Sequence, residues 1–131
     1  MKFLLDTHVW LWSLLEPTKL SVGIQASLSN ANNTLFLSPI SVWETLILIE
    51  KKRIQVNGDP ATWIATALRS SRVHEAPLTN AVAIRSRQIQ LPHQDPADRF
   101  IAATTLEYSV TLITADEHLL NSAQLTTVAA R

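Results

Sequence analysis

Short apolar runs alternate with helix-forming segments along this chain. The clearest runs are residues 2–5, 34–37 and 111–114, each four residues long. Short strands are also predicted over residues 73–76, despite the charged Glu75, and near residues 125–128. A continuous apolar run of this length is typical of a strand that is buried on both faces of a parallel sheet. Strands that alternate with helices indicate an α/β fold with a mostly parallel sheet. The length of 131 residues suits a single domain over residues 1–131.

Three helices are predicted to begin at a capping residue followed by proline. The pairs are Ser38-Pro39, Asp59-Pro60 and Asp95-Pro96, and a proline at the first helical position loses no hydrogen bond because that amide has no partner in the helix. The predicted helices run to about residues 53, 72 and 108.

Other helices are predicted over residues 9–15, from Ser21 toward residue 32, from Thr79, and through residues 119–120. In the second, Val22, Ile24, Ala26 and Leu28 are expected to lie inside or near the packing seam. In the helix after Thr79, Ala81, Ala83 and Ile84 are expected inside and Arg85 and Arg87 outside.

Composition excludes several kinds of protein. The chain has no cysteine, so it forms no disulfide or thiolate metal site, which is consistent with a cytoplasmic protein. Its two glycines exclude a glycine-rich phosphate loop. Asp6 and His8 interrupt the N-terminal apolar run, so no signal peptide is predicted, and no segment is long enough to span a membrane. Because the net charge is zero, nucleic-acid binding would need a local patch of basic residues.

Acidic residues recur where predicted strands end or helices begin. Asp6 and Asp116 follow strands, Asp98 lies in the first turn of the helix from Pro96, and Glu44 lies on the helix that leaves the second strand. In parallel sheets the ligand crevice lies beyond the carboxyl ends of the strands. We therefore expect the four carboxylates to line one rim of the sheet.

Clustered carboxylates repel one another and favour a divalent cation. No lysine follows Lys52 to neutralise them, and an all-oxygen donor set favours Mg²⁺, with Mn²⁺ as the alternative. Each acid also has a simpler interpretation. Asp6 and Asp116 fit as helix caps, and Asp98 fits as a charge that complements the helix dipole. Glu44 is the hardest to explain in that way, because its neighbours are apolar and a buried carboxylate without a partner is costly.

Four segments together resemble PIN domains of the VapC toxin type. They are Leu4-Leu5-Asp6-Thr7-His8, Ser38-Pro39-Ile40-Ser41-Val42-Trp43-Glu44, His93-Gln94-Asp95-Pro96-Ala97-Asp98-Arg99 and Leu112-Ile113-Thr114-Ala115-Asp116. The third is the most specific. The resemblance implies a three-layer α/β/α sandwich around a five-stranded, mostly parallel sheet. One departure is Lys51-Lys52-Arg53, where relatives often have a glycine before the basic residue.

The resemblance also implies a function. It indicates a metal-dependent endoribonuclease toxin, usually a homodimer, that a cognate VapB-type antitoxin holds inactive. The metal-binding and catalytic acids map onto Asp6, Glu44, Asp98 and Asp116, with Thr114 as an accessory hydroxyl. The surplus of apolar residues over 10–15 also favours a dimer.

The roles of several residues stay open at this point. Arg99 is an accessory candidate that fits either a phosphate contact or an ion pair with an acid. His93 fits a proton donor or a structural role, and no role is assigned to His8, His74 or His118. Basic residues at helix ends are candidates for contact with an RNA backbone, or are simply solvated. They are Lys51, Lys52, Arg53, Arg85 and Arg87.

Two other classes of protein compete with a nuclease. A phosphotransfer or phosphatase domain also places an aspartate after its first strand, but it relies on a late lysine that this chain lacks. A non-catalytic binding module on the same fold is the second rival. The presence of all four acids argues against it.

Overall fold

The computed structural model describes residues 1–92 and 94–131. Five strands form one sheet in the order β3-β2-β1-β4-β5, and every neighbouring pair is parallel. The strands are β1 (Lys2–Leu5), β2 (Thr34–Leu37), β3 (His74–Glu75), β4 (Thr111–Thr114) and β5 (Thr127–Ala129). The predicted α/β fold is confirmed, and β1, β2 and β4 coincide with the predicted apolar runs. Strand β3 is shorter than predicted, and β5 begins two residues later than predicted.

Seven α-helices and one 3₁₀ turn connect these strands in the part of the chain that the structure describes. The helices are α1 (Thr7–Leu15), α2 (Val22–Ser29), α3 (Pro39–Glu50), α4 (Pro60–Ser70), α5 (Asn80–Ser86), α6 (Pro96–Glu107) and α7 (Glu117–Leu120), and the 3₁₀ turn is Pro17–Lys19. Ser38, Asp59 and Asp95 cap α3, α4 and α6 with their side chains, as predicted. No helix in the described ranges is both long and apolar enough to cross a membrane.

The sheet separates two apolar cores. Phe3 and Leu5 point into a core formed with α1, α2 and α4, whereas Leu4 points into a core formed with α5, α6 and α7. Alternate residues of a strand face opposite sides of its sheet, so a central strand that is apolar throughout can supply both cores. The result is the three-layer α/β/α arrangement.

Two predictions about inward-facing residues were wrong. In α5 the buried residues are Val82 and Ser86, whereas Ile84 is 62% exposed and Ala81 and Ala83 are also exposed. In α2, Ile24 is buried but Val22 is 83% exposed. Both helices are short, so their orientation is determined by what they pack against rather than by their own apolar pattern.

The helix ends also differ in detail from the prediction. Helix α3 ends at Glu50 rather than near residue 53, and the chain leaves it through Lys52, whose φ of 58° is left-handed. Helix α4 ends at Ser70, ahead of the left-handed Arg72. A left-handed residue closes the last turn of a helix and is usually glycine, a residue that is absent from both positions.

The apolar residues of α1 are mostly buried inside the chain. Trp10 and Leu11 are 0% and 4% exposed, and the Trp10 indole Nε1 donates a hydrogen bond to Ser71 Oγ at 3.0 Å. Leu15 is the exposed exception, at 42%. Trp12 and Leu14 are half-buried, so part of the apolar surface of α1 remains accessible and the homodimer stays a prediction.

Candidate functional site

The site begins where two neighbouring strands end. The Asp6 amide donates to Ile113 O at 3.0 Å, so β1 remains paired with β4 up to the first acid. Thr114, the last residue of β4, donates from Oγ1 to Asp6 Oδ2 at 2.6 Å and accepts the Asp116 amide at 3.0 Å. One buried hydroxyl therefore orients the two segments that carry Asp6 and Asp116.

Each of these aspartates also caps a helix. Asp6 Oδ1 accepts the Thr7 amide at 2.8 Å at the start of α1, and Asp116 Oδ1 accepts the amides of His118 and Leu119 at the start of α7. The prediction that Asp6 and Asp116 cap helices is therefore correct, but both also line the pocket described below. For Asp6 the cap uses one carboxylate oxygen and Thr114 holds the other, so the carboxylate has a fixed orientation at the sheet edge.

Glu44 reaches the same edge from α3 and has a specific partner. The Thr7 hydroxyl lies within hydrogen-bonding distance of Glu44 Oε1 and 2.8 Å from Ser41 Oγ. A hydroxyl has one hydrogen to donate and an ionised carboxylate only accepts, so Thr7 donates to Glu44 and its oxygen is left to accept from Ser41. Thr7 and Ser41 are buried, and Glu44 is half-buried. This partner of Glu44 was not predicted from the sequence.

The N-terminal end of helix α6 contributes two acids, its cap Asp95 and Asp98 in its first turn. Asp95 Oδ1 accepts the Ala97 amide at 3.0 Å, and Asp98 follows one turn later, where the positive end of the helix dipole favours a carboxylate. Asp95 was predicted only as a cap. Its side chain lines the same pocket as Asp98, so a fifth acid belongs to the site.

All four predicted acids line one pocket of about 320 Å³. Its walls are Asp6, His8, Trp12, Glu44, Asp95, Asp98, Ala115, Asp116 and Arg131. Six oxygen-sized ligands at about 30 Å³ each would take roughly 180 Å³. The pocket therefore has room for a hydrated cation and for an anionic group beside it.

The carboxylates of the pocket make one another harder to ionise. Burial raises the pKa of Asp98 from 3.8 to about 7, and the negative charges around it add to that effect. Those charges belong to Asp6, Asp95, Asp116 and Glu44. Burial likewise raises the pKa values of Asp6 and Glu44, against the opposing effect of the hydroxyl hydrogen bonds from Thr114 and Thr7. The pocket thus concentrates negative charge that only a cation or protons can relieve.

The donor set suits a hard divalent cation. The acidic residues of the pocket offer carboxylate oxygens, and Mg²⁺ and Mn²⁺ prefer oxygen ligands. Within residues 1–92 and 94–131, no three acidic or histidine side chains converge closely enough to form a complete ligand set. Two of the carboxylates are held by the hydroxyls of Thr7 and Thr114. Small side-chain movements within the pocket would be needed to enclose a cation.

Arg99 takes no part in this pocket. It is 6% exposed, and its guanidinium donates from Nη1 to the carbonyls of Ile89 and Ser86 at 2.8 and 3.3 Å, and from Nε to Gln94 Oε1 at 3.3 Å. Of the two roles considered from the sequence, the ion pair with an acid is not formed among the described residues, and the phosphate contact stays a prediction. Arg99 instead fastens α6 to the chain that follows α5.

Of the basic helix-end residues considered for contact with an RNA backbone, some are already engaged by other side chains. Arg85 forms an ion pair with Glu107 at 2.9 Å, and Arg87 donates to Gln94 at 3.2 Å. Lys51, Lys52 and Arg53 are exposed, at the far end of α3 from Ser38. His93 lies outside the described residues.

Three further pocket residues were not expected from the sequence. His8, Trp12 and Arg131 line the side of the pocket formed by α1 and the segment after β5. The Trp12 ring lies 4.8 Å from Arg131 Cζ and 6.2 Å from the His8 ring, measured to the ring centroid. The sequence indicated only that His8 and Trp12, four residues apart on one helix, would lie on the same helix face.

Comparisons with known proteins agree with this architecture. The PIN domain family model matches residues 3–124. The ribonuclease VapC22 of Mycobacterium tuberculosis is 34% identical over 119 residues, which are 88% of this chain and 88% of that protein.

Solved structures share the same fold at low sequence identity. VapBC2 from Rickettsia felis, bound to a DNA fragment from its promoter, is 15% identical with a TM-score of 0.76 and full coverage of both chains. A toxin-antitoxin complex from Klebsiella pneumoniae is 17% identical with a TM-score of 0.68, covering 98% of this chain and 97% of that one.

Proposed function

This chain belongs to the PIN domain family, and on that premise we propose that it is a metal-dependent endoribonuclease, the toxin of a toxin-antitoxin pair. The observation that carries the proposal is the single acidic pocket at the carboxyl ends of β1 and β4, where Asp6, Glu44, Asp98 and Asp116 meet. The ribonuclease relative, 34% identical, supports RNA as the substrate. The proposed domain covers residues 1–131.

We assign the binding of Mg²⁺, with Mn²⁺ as the alternative, to the four acids. When bound, the cation supplies positive charge against a phosphodiester and activates water for its hydrolysis. Asp98 must lose its proton for this to occur, because its pKa of about 7 leaves it partly protonated at neutral pH. Metal binding and deprotonation of Asp98 are therefore coupled.

The chain's own residues position the reaction. Thr114 holds Asp6 in one orientation, and Thr7 does the same for Glu44. We assign the orientation of the attacking water to Glu44 or Asp116. Hydroxyl groups that orient ligand carboxylates typically affect metal affinity or activity by 10–100-fold when they are removed.

The activity is tested by cleavage of a total small-RNA pool with Mg²⁺ and with EDTA. Wild type should cleave only with metal, and Asp6→Asn and Asp98→Asn should lose cleavage because each keeps the shape of the side chain but removes a ligand charge. Asp59→Asn is the matched control, since Asp59 caps α4 and is not part of the pocket. Cleavage that survives both EDTA and Asp6→Asn would come from a contaminating nuclease. A folded, metal-bound protein that cleaves no RNA would be a binding module instead.

The partners follow from the same proposal. We propose a VapB-type antitoxin that covers the acidic pocket, and a homodimer through helices. Expression of wild type without the antitoxin should arrest growth, whereas Asp6→Asn should be tolerated at the same protein level.

A further inference from the structure

Arg131 is a cation in an otherwise acidic pocket that does not pair with the acids around it. It lines the pocket with Asp6, Glu44 and Asp98, and its side chain is exposed. Neither of the salt bridges found in the described ranges, Lys19–Glu16 and Arg85–Glu107, involves Arg131. The guanidinium is therefore available to an anion that enters the pocket.

Trp12 holds this guanidinium in place. Arg131 Cζ lies 4.8 Å from the centroid of the Trp12 ring, within the range of a cation–π contact. Lys19 Nζ lies 5.7 Å from the same ring and is joined to Glu16 at 3.2 Å. An arginine that stacks on an aromatic ring keeps its N–H groups free at the edge of the plane. The contact with Trp12 thus favours this position of Arg131 without using its hydrogen-bond donors.

A phosphate group matches this arrangement. Arginine binds phosphate with two parallel hydrogen bonds, and a guanidinium held on a ring loses less freedom on binding than a mobile one. The pocket around it would otherwise repel a nucleic-acid backbone. Its volume of about 320 Å³ has room for a phosphate beside a hydrated cation. The same pocket thus contains acids that can hold a cation and a guanidinium that can bind a phosphate.

We propose that the Trp12–Arg131 pair is a phosphate-binding subsite that positions the RNA backbone against the acids of the pocket. The proposal rests on the proposed ribonuclease function. In it, Arg131 contacts a phosphate of the RNA and Trp12 acts as a positioning residue for Arg131.

Binding is measured with a fluorescein-labelled, 20-nucleotide single-stranded RNA of mixed sequence, by anisotropy, in an Asp6→Asn background that prevents turnover. Arg131→Gln should weaken binding about tenfold, the effect of one charge-assisted hydrogen-bonded contact. The slope of log affinity against log salt should fall by about 0.7, the value for one phosphate of a single strand. Arg69→Gln, an exposed arginine of α4 outside the pocket, is the matched control and should change neither.

Two further variants separate charge from geometry. Arg131→Lys should keep the salt slope but recover only part of the affinity, because lysine binds phosphate as a point charge. Trp12→Leu keeps every charge and should weaken binding severalfold, with the guanidinium no longer held. In the wild-type background, with the small-RNA pool and Mg²⁺, Arg131→Gln should raise KM far more than it lowers kcat.

The outcomes distinguish this inference from the function on which it rests. Unchanged RNA affinity and salt slope in Arg131→Gln, with wild type cleaving RNA normally, would overturn the subsite alone. The subsite would also be overturned if Arg131→Gln bound RNA normally but lost affinity for the antitoxin, because Arg131 would then contact a protein. A wild type that neither binds nor cleaves RNA would overturn the ribonuclease function, and the subsite with it.

Discussion

Replacing Asp98 by Asn should stabilise the metal-free protein at high pH and remove its response to metal. Burial and the neighbouring acids raise the pKa of Asp98 from 3.8 to about 7. At 1.36 kcal/mol per unit, this shift corresponds to at most about 4 kcal/mol of destabilisation when the carboxylate is charged. Asp98 is only half-buried, and solvent screening reduces this to about 1–2 kcal/mol.

The sign of the pH dependence follows from the raised pKa. Between pH 3.8 and 7 the folded protein binds a proton at Asp98 more tightly than the unfolded chain does, so the free energy of unfolding of wild type falls as pH rises through this range. Asn carries no charge at any pH and avoids this loss. It also forgoes the favourable interaction with the helix dipole, about 0.3–1 kcal/mol. The net gain for Asp98→Asn is about 1 kcal/mol above pH 7 and vanishes near pH 4.

The measurement is thermal unfolding followed by circular dichroism at pH 5, 6, 7 and 8, in EDTA and in Mg²⁺. In EDTA at pH 8 the variant should melt about 3–5 °C above wild type. With Mg²⁺ at a hundred times its Kd, wild type should gain about 2.7 kcal/mol and the variant little, so their order should reverse. Asp59→Asn is the control, because Asn caps a helix as well as Asp, and Asp59 is outside the pocket.

Two results would refute this reasoning. One is a variant that is less stable than wild type in EDTA at pH 8, since the charges around Asp98 would then stabilise the fold. The other is an equal rise of melting temperature with Mg²⁺ in both proteins, which would place the metal elsewhere.

Three further predictions concern residues around the pocket and the assembly. Thr7→Val should weaken Mg²⁺ binding, measured by calorimetry, about tenfold because it releases Glu44, and Thr7→Ser should bind Mg²⁺ as tightly as wild type. Equal Mg²⁺ affinity in all three proteins would contradict the role of the hydroxyl. Arg99→Gln should lower the free energy of unfolding by about 2–4 kcal/mol, because two buried carbonyls lose their donor, while cleavage per folded molecule stays normal. Lost cleavage at unchanged stability would instead give Arg99 a role in catalysis. Light scattering should give the mass of a dimer, and a monomer at every accessible concentration would exclude the proposed homodimer.

Local signals in the sequence were enough to predict most of the fold. Apolar runs of four residues marked β1, β2 and β4, and a capping residue before proline marked the starts of α3, α4 and α6. These signals succeed because strand burial and helix capping involve residues that are close together in the chain. The same locality explains the placement of Asp6 and Asp116 at one edge, since both follow neighbouring parallel strands.

The orientation of individual side chains was decided by tertiary packing. Arg99 is adjacent to Asp98 in sequence, yet its guanidinium donates to the carbonyls of Ser86 and Ile89 and does not line the pocket. Arg131 is far from Trp12 in the sequence, yet its guanidinium contacts the Trp12 ring in that pocket. Helix α5 likewise buries Val82 rather than Ile84. The sequence by itself determined the elements and the acids that follow them, because these depend on neighbouring residues. Which side chains complete the pocket depends on contacts between segments distant in the chain, and only the folded structure brings those together.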